Sequence, residues 1–585
     1  MKPGALRLVA VTLGLATTLL LALGHRRVGY VRDEGIYFAA SRHHAAWAAR
    51  MLEAPGEALA APARDRAFAV NREHPALMKL VAGVSARLFA QAGPPGPEHA
   101  PAGLLPILPE GAAMRLPAQL LAGLGVALLF LAGASLAAPV RKDSQPASSD
   151  SHAPASPPAP SPGPPAPSDS LPLLAGLCAA LWFIGLPHVW FHAGLHAFDV
   201  PVAVATLAVV LIYRRALHST RWSLALGPAL GVAISIKHNA LFIPVLLALH
   251  YGLCLLLARR RPRTAQLLPL PFLTMAVLAP LTVIALWPWL WSDPVARVLE
   301  YVEFHRFHAY YNTEYLGVNY NRPPLPVSYP FVLTWATVPT GMLLLALLGL
   351  VRGLARAFQT APVPEDSPRW GAPLAGHDRR DGLLWALFAA FPLLLISLPT
   401  IPIFGGTKHW LTAYPFFALA AASGLVALAR AAALPPRWRH APAGVLLLVL
   451  VPGVWSTING HPYGLSQYAP LVGGPRGAAD LGLLRGFWGT AVPAPVLDPA
   501  TPGAPLYIHD MHELARQQYA REGRWPAGAT SVPPARARAA LIFHERHMLT
   551  HELQVWDALR TTAPDEVVTL DDVPLTSLYR AAPAR

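Results

Sequence analysis

Cysteine is almost missing from this chain. Its 585 residues hold 2, Cys178 and Cys254, and both fall inside apolar runs. That excludes a disulfide framework and a cysteine-based metal knuckle. Charge is scarce too: 13% of residues are Asp, Glu, Lys or Arg against 54% hydrophobic, and mean hydropathy is +0.39. Acids are the scarcer sign, 32 against 46 basic residues, for a formal net charge of +14. Most of the excess arginine lies in short loops between apolar runs, so it reports orientation in a membrane and not a nucleic-acid partner. What recurs instead is the apolar run of about twenty residues, the length that crosses a ~30 Å hydrocarbon core.

Such runs lie near 5–24, 113–139, 172–191, 199–213, 222–236, 240–258, 267–290, 328–351, 382–400, 411–429 and 442–458. They predict a polytopic α-helical membrane protein of about eleven transmembrane helices. Arg141-Lys142, Arg214-Arg215, Arg259-Arg260-Arg261, Arg352/Arg356, Arg379-Arg380 and Arg430/Arg437/Arg439 all fall on one side of that layout. The positive-inside rule makes this side the cytoplasm. The other side receives a long first outer loop, 25–112, the turns at 192–198 and 237–239, the loops 291–327 and 401–410, and everything after 459. Lys2 and Arg7 ahead of the first run also suit a secretory signal, but no small-x-small cleavage site precedes His25-Arg26-Arg27, so a retained first helix is expected. Residues 140–171 are nearly all Ser, Pro, Ala and Asp and predict a disordered cytoplasmic linker. After Asn459 the long apolar runs stop. Leu506–His509 and Ala539–Phe543 read as buried strands and His551–Leu559 as an amphipathic helix. A small extracytoplasmic α/β domain over 459–585 follows, serving either acceptor binding or as a structural cap.

The acids that remain are informative by position. Asp33 and Glu34 stand a few residues beyond the first apolar run, where a carboxylate reaches both water and a lipid headgroup. Ala45–Ala60 and Pro75–Gln91 have one apolar face at helical spacing and predict helices lying along the membrane surface. Between them His74-Pro75 ends a turn, and Lys79 one helical turn later brings a cation beside the acidic mouth. His188, His192 and His196 follow one another at i, i+4 and i+8, with Asp199 close behind. That is metal-ligand spacing, and equally the spacing of an aromatic-polar helix end at the interface; no metal is expected. Trp287, Trp289 and Trp291 read as an aromatic belt. In loop 291–327, Glu300, Glu303, His305, Arg306, His308, Tyr310-Tyr311 and Asn319–Pro324 suit sugar or acceptor contact in a mobile lid.

An acidic pair after the first helix, a long outer loop and His74-Pro75-x-Leu77-x-Lys79 together resemble the GT-C membrane glycosyltransferases, within the protein O-mannosyltransferase and aminoarabinose transferase group. Arg115-Leu116-Pro117, Phe198-Asp199-Val200-Pro201, Ser235–Asn239, Gly405–His409 and the stretch from His461-Pro462-Tyr463 to Phe487-Trp488-Gly489 fit the same pattern in order. The chain departs from it with Ala76 where a second Pro is common, and with His192 and His196 where an Arg precedes the acid. The resemblance implies a GT-C-like domain over 1–458 and a polyprenyl-phosphate-linked sugar donor. It also implies an acceptor that is protein, lipid or glycan, and no cofactor. Chemistry would sit at the outer, periplasmic face of the cytoplasmic membrane. Asp33 would be the base and Glu34 its partner; His74, Lys79, Arg115, Asp199, Lys237, Lys408 and His409 would hold the donor phosphate and substrate. The alternative is a transporter or lipid-sugar flippase. It predicts ionisable residues at mid-membrane and repeated halves, whereas these charges cluster at outer helix ends and no repeat is seen.

Overall fold

The computed structural model describes residues 2–95, 99–137, 170–257, 269–359, 377–431, 440–492, 496, 503, 505–525 and 529–581. Every expected span coincides with a helix or a helix pair. Among the described residues, six helices are long and apolar enough to cross a membrane: Pro3–Arg27, Glu110–Leu136, His238–Leu257, Thr340–Ala357, Gly406–Ala431 and Ala441–Gly460. A seventh is added if Leu171–Ile184 and Pro187–Ala193, bent by 74°, count as one span. The protein is therefore a polytopic helical membrane protein, with six or seven spans by this measure against the eleven expected. The other four expected spans are helices too short or too charged to count by it. Thr220–Ile236 and Leu270–Leu286 stop at 17 residues, and Asp199–Ala216 and His377–Ile396 carry charged residues in their end turns. The run 328–351 is likewise divided, into Tyr329–Thr337 and Thr340–Ala357, because Pro339 cannot continue a helix through Val338.

Leu8, Leu15 and Leu19 on the first helix and Val277, Leu281 and Ile284 on Leu270–Leu286 point outward, as lipid-facing side chains should. Inside, small residues let helices approach closely: a methyl added to Gly349 would collide with the Ala420 carbonyl.

The bundle is polar end to end. Asp199 opens the helix that Arg214 and Arg215 close, and Lys408 opens the helical segment that Arg430 closes. At the arginine end Arg214 pairs with Asp381, Arg380 donates to the Cys254 carbonyl (2.8 Å) and Arg430 to that of Ala137 (3.0 Å). Arg141, Lys142, Arg259, Arg260, Arg261, Arg437, Arg439 and the Ser/Pro-rich segment up to 169 lie outside the described residues.

At the opposite end, the first loop is more helical than its sequence predicts. Asp33 and Glu34 sit in the first turn of a 22-residue helix, Arg32–Glu53, followed by Pro55–Leu59, Ala61–Ala67 and Leu77–Phe89. A further helix, Pro294–Arg306, lies beside them. Its Arg297 pairs with Asp65 (2.7 Å), its Tyr301 packs on Trp287, and its His305 meets the Glu73 carbonyl at 3.1 Å. Val295, Val298, Leu299 and Val302 on the same helix are exposed.

The C-terminal domain has four strands, β3 (Leu506–Ile508), β4 (Ala539–Phe543), β5 (Glu566–Leu570) and β6 (Val573–Arg580), in the order β3-β4-β6-β5; the hairpin β1 (Thr313–Tyr315) and β2 (Val318–Tyr320) is separate. β3 and β4 are parallel, and β6 is antiparallel to both its neighbours. The domain is fastened to the first loop through its helix Glu513–Arg521. The Tyr30 amide donates to the Tyr519 hydroxyl (2.7 Å), the Tyr30 hydroxyl to Glu522 (2.6 Å), and Arg521 pairs with Glu110 (2.8 Å).

Candidate active site

Between the first-loop helix, the ends of the membrane helices and the C-terminal domain lies a cavity of about 610 Å³. Its two ends differ in kind. One is lined by acids, lysines and histidines. The other runs down between helices Ile243–Leu257 and His377–Ile396 along Phe242, Ile243, Leu246, Phe388, Phe391 and Leu395.

Six of the nine candidate site residues line this cavity, Asp33, His74, Asp199, Lys237, Lys408 and His409, and so do His305, His308 and Tyr311 from loop 291–327. Asp33 Oδ2 stands 3.6 Å from Lys408 Nζ, with Asp33 30% exposed and Lys408 only 5%. The carboxylate therefore faces open space while the lysine is buried behind it. Lys408 Nζ is wrapped by aromatic rings, 4.2 Å from the Trp488 centroid, 4.4 Å from Phe404 and 5.4 Å from Phe487. Their π faces stabilise a cation that water does not reach. The turn that delivers it needs glycine, since Gly405 and Gly406 have φ of +67° and +63°. A methyl on Gly405 would also come within 2.8 Å of Lys408 Cε. Asp199 Oδ1 accepts from Lys237 Nζ at 2.6 Å, so this acid is closely matched and Asp33 is the less engaged of the two.

Glu34, Lys79 and Arg115 do not line this cavity and are held by neighbouring protein groups; Glu34, expected to position Asp33 or the acceptor, sits beside the base. Consecutive helix residues point ~100° apart, so Asp33 and Glu34 face different surroundings. Glu34 is fully buried. Its Oε1 accepts from Arg115 Nε and the His196 amide, both at 2.7 Å, and its Oε2 from Arg115 Nη2 at 2.6 Å and the Val31 amide at 3.2 Å. Arg115 also donates to the carbonyls of His25 (2.9 Å), Val28 (3.1 Å) and Gly29 (2.9 Å). The pair thus fixes the chain that carries Asp33. Lys79 Nζ donates to the Asn71 carbonyl (2.6 Å), Asn71 Oδ1 (3.2 Å) and the His74 carbonyl (2.9 Å), which holds the turn bearing His74. Burial pushes Lys79 down to about 7 and His74 well below its ordinary value.

The histidine string does not share one face. Its helix ends at Ala193, so His196 leaves the register. His188 pairs with Thr407 Oγ1 and the Gln467 carbonyl, both at 3.1 Å; His192 packs edge-on to Trp488; His196 Nε2 meets Ser41 Oγ at 3.0 Å. Among the described residues no three His, Cys, Asp or Glu side chains are grouped to hold a metal.

Sequence reasoning missed the wall supplied by the C-terminal domain. His509, Asp510 and His512 follow β3, and Glu545 and His547 follow β4; all five line the cavity. Asp510 Oδ1 is 3.7 Å from Arg32 Nη1. Glu545 Oε2 is 3.4 Å from His547 Nδ1, and its buried carboxyl shares a hydrogen bond with Asp510. Burial and the neighbouring Asp510 raise Glu545 well above the usual carboxylate range, and burial also raises Asp510. The available signal was their position: the carboxyl ends of adjacent parallel strands are where open α/β sheets place ligand-binding groups.

Fold and site together define a polytopic helical membrane protein with a cavity that is charged at the bundle's end and apolar within it. No family model matches the chain, and no curated protein matches it. Among solved structures it is similar to ArnT from Cupriavidus metallidurans bound to undecaprenyl phosphate, at 16% identity and a TM-score of 0.45, covering 97% of each chain. It is similar also to the apo state of the same protein, at 16% identity and a TM-score of 0.45, covering 98% of this chain and 99% of that one.

Proposed function

We propose that this protein is an integral membrane glycosyltransferase that moves a sugar from a polyprenyl phosphate to an acceptor at the outer face of the cytoplasmic membrane. The observation that carries this reading is the two-ended cavity. A polyprenyl phosphate is itself two-ended, and the trough along Phe242, Leu246, Phe388 and Phe391 suits its tail while Lys237 and Lys408 stand at the level of its phosphate. Asp33 is the base. It takes the proton of the acceptor hydroxyl as that oxygen bonds to the anomeric carbon, and the bond from that carbon to the phosphate oxygen breaks with its electron pair. Attack from the face opposite the phosphate inverts the anomeric centre. The departing phosphate gains charge, and buried cations stabilise it more strongly than exposed ones would. The 3.6 Å between Asp33 and Lys408 leaves the carboxylate's lone pairs open to the acceptor hydroxyl.

The test is transfer from a labelled polyprenyl-phosphate sugar by the purified protein in nanodiscs. Asp33→Asn keeps the shape and removes the proton acceptor, and is expected to lower turnover roughly 10²–10⁴-fold. Donor binding should fall far less. Turnover near wild type in Asp33→Asn would reject the assignment. Lipid-dependent movement of the intact donor across vesicles, with no transfer or hydrolysis, would favour a transporter instead.

A further inference from the structure

Lys237 and Lys408 line the cavity from the membrane helices, and Asp510 and Glu545 line it from the C-terminal domain. We infer that the carboxyl wall at the ends of β3 and β4 is the acceptor subsite, and that it takes a neutral, hydroxyl-rich group such as a glycan sugar rather than a phosphate. This rests on the glycosyltransferase reading and adds to it the class of acceptor.

The chemistry of the wall argues for donors in its ligand. Glu545 is nine-tenths buried and hydrogen-bonded to Asp510, so the pair shares one proton and keeps lone pairs for donors from a ligand. His509 Nδ1 lacks a partner. The cation nearest the pair, Arg32, is already shared with Asp510 at 3.7 Å. An incoming phosphate would meet the Asp510 carboxylate and one engaged arginine, and like charge in a poorly hydrated site is strongly unfavourable. A sugar instead offers several hydroxyls that donate to carboxylates and accept from Arg32. Tyr311 and the stacked rings of His308 and Phe404, 5.4 Å between centroids, supply flat surface in the same cavity for a pyranose face.

Asp33 lies between the two sides. It pairs with Lys408 on one and acts electrostatically on Asp510 and His512 on the other. A hydroxyl held at the wall therefore presents its proton to Asp33 and its oxygen to the anomeric carbon over the lysines.

The test offers the purified full chain in nanodiscs a set of polyprenyl-phosphate hexoses and pentoses with three acceptors: a methyl glycoside or disaccharide, an alkyl phosphate, and a serine/threonine peptide. Transfer to the glycoside is expected. Asp510→Asn and Glu545→Gln should each raise the acceptor KM roughly 10- to 100-fold, the size of a lost charged hydrogen bond, with a much smaller change in kcat. Glu545→Asp should recover part of the loss, which a merely structural role would not predict, and melting curves identify any variant that misfolds. Preference for the alkyl phosphate or the peptide, or an unaltered acceptor KM in both folded variants, would overturn this inference while leaving the transferase reading intact. Absence of transfer and of donor hydrolysis in the wild type would overturn both.

Discussion

At the scale of single residues, the site turns on two adjacent acids with different work. Asp33 opens into the cavity, whereas Glu34 is sealed beneath it in a two-pronged pair with Arg115. Removing one partner of a buried pair strands the other charge, at a typical cost of about 3–5 kcal/mol. Glu34→Gln should therefore lower the melting temperature sharply and reduce activity only through loss of folded protein, while Asp33→Asn should melt near the wild type. Thermal unfolding in detergent beside turnover per folded molecule separates the two. Equal melting of both variants would remove the structural role from Glu34. Asp33, Lys237 and Lys408 were legible in the sequence because charge at the ends of apolar runs is conspicuous. The commitments of Lys79 and Arg115 to backbone carbonyls were not, since the identity of a cation does not reveal its partner. Asp510 and Glu545 are far apart in the chain and meet only when β3 and β4 pair.

Among the elements, helix Pro294–Arg306 carries an aliphatic stripe left exposed among the described residues. At ~100° per residue, Val295, Val298, Leu299 and Val302 fall within about 100° of one another, on a stripe centred about 110° round from Arg297, Tyr301 and His305. Leu270–Leu286, joined to it through Pro288–Trp291, exposes Val277, Leu281 and Ile284. That arrangement is expected of a helix lying in the headgroup region with its aliphatic stripe against acyl chains. A fluorophore on a cysteine at Val298 or Val302 should be quenched by brominated lipids, and one at Glu300, about 150° round from the centre of the stripe, should not. Stronger quenching at Glu300 would place the helix the other way up. Cys178 and Cys254 are buried, so labelling stays confined to the introduced thiol. The sequence indicated the long helices well because periodicity and length are local properties. The break between Ile184 and Pro187 and the helical start at Arg32 depend on backbone direction and on capping, which hydropathy does not record.

For the whole molecule, the arginine-bearing helix ends lie opposite the cavity, and orientation follows from which end faces the cytoplasm. A reporter active only outside the cytoplasm should be active when fused after Arg585 and inactive when inserted within 143–170. The reverse at Arg585 would mean a miscounted crossing. The closure of the cavity by Asp510 and Glu545, and its fastening through Tyr519, Arg521 and Glu522, also has a consequence in time. A ribosome reaches those residues after every membrane helix. A nascent chain can thread all its membrane helices and hold Asp33 beside Lys408 while one wall of the chamber is still unmade. Synthesis of β3 and β4 is then the event that assembles the chamber, and a chain stalled before β3 is an inserted but unfinished vessel.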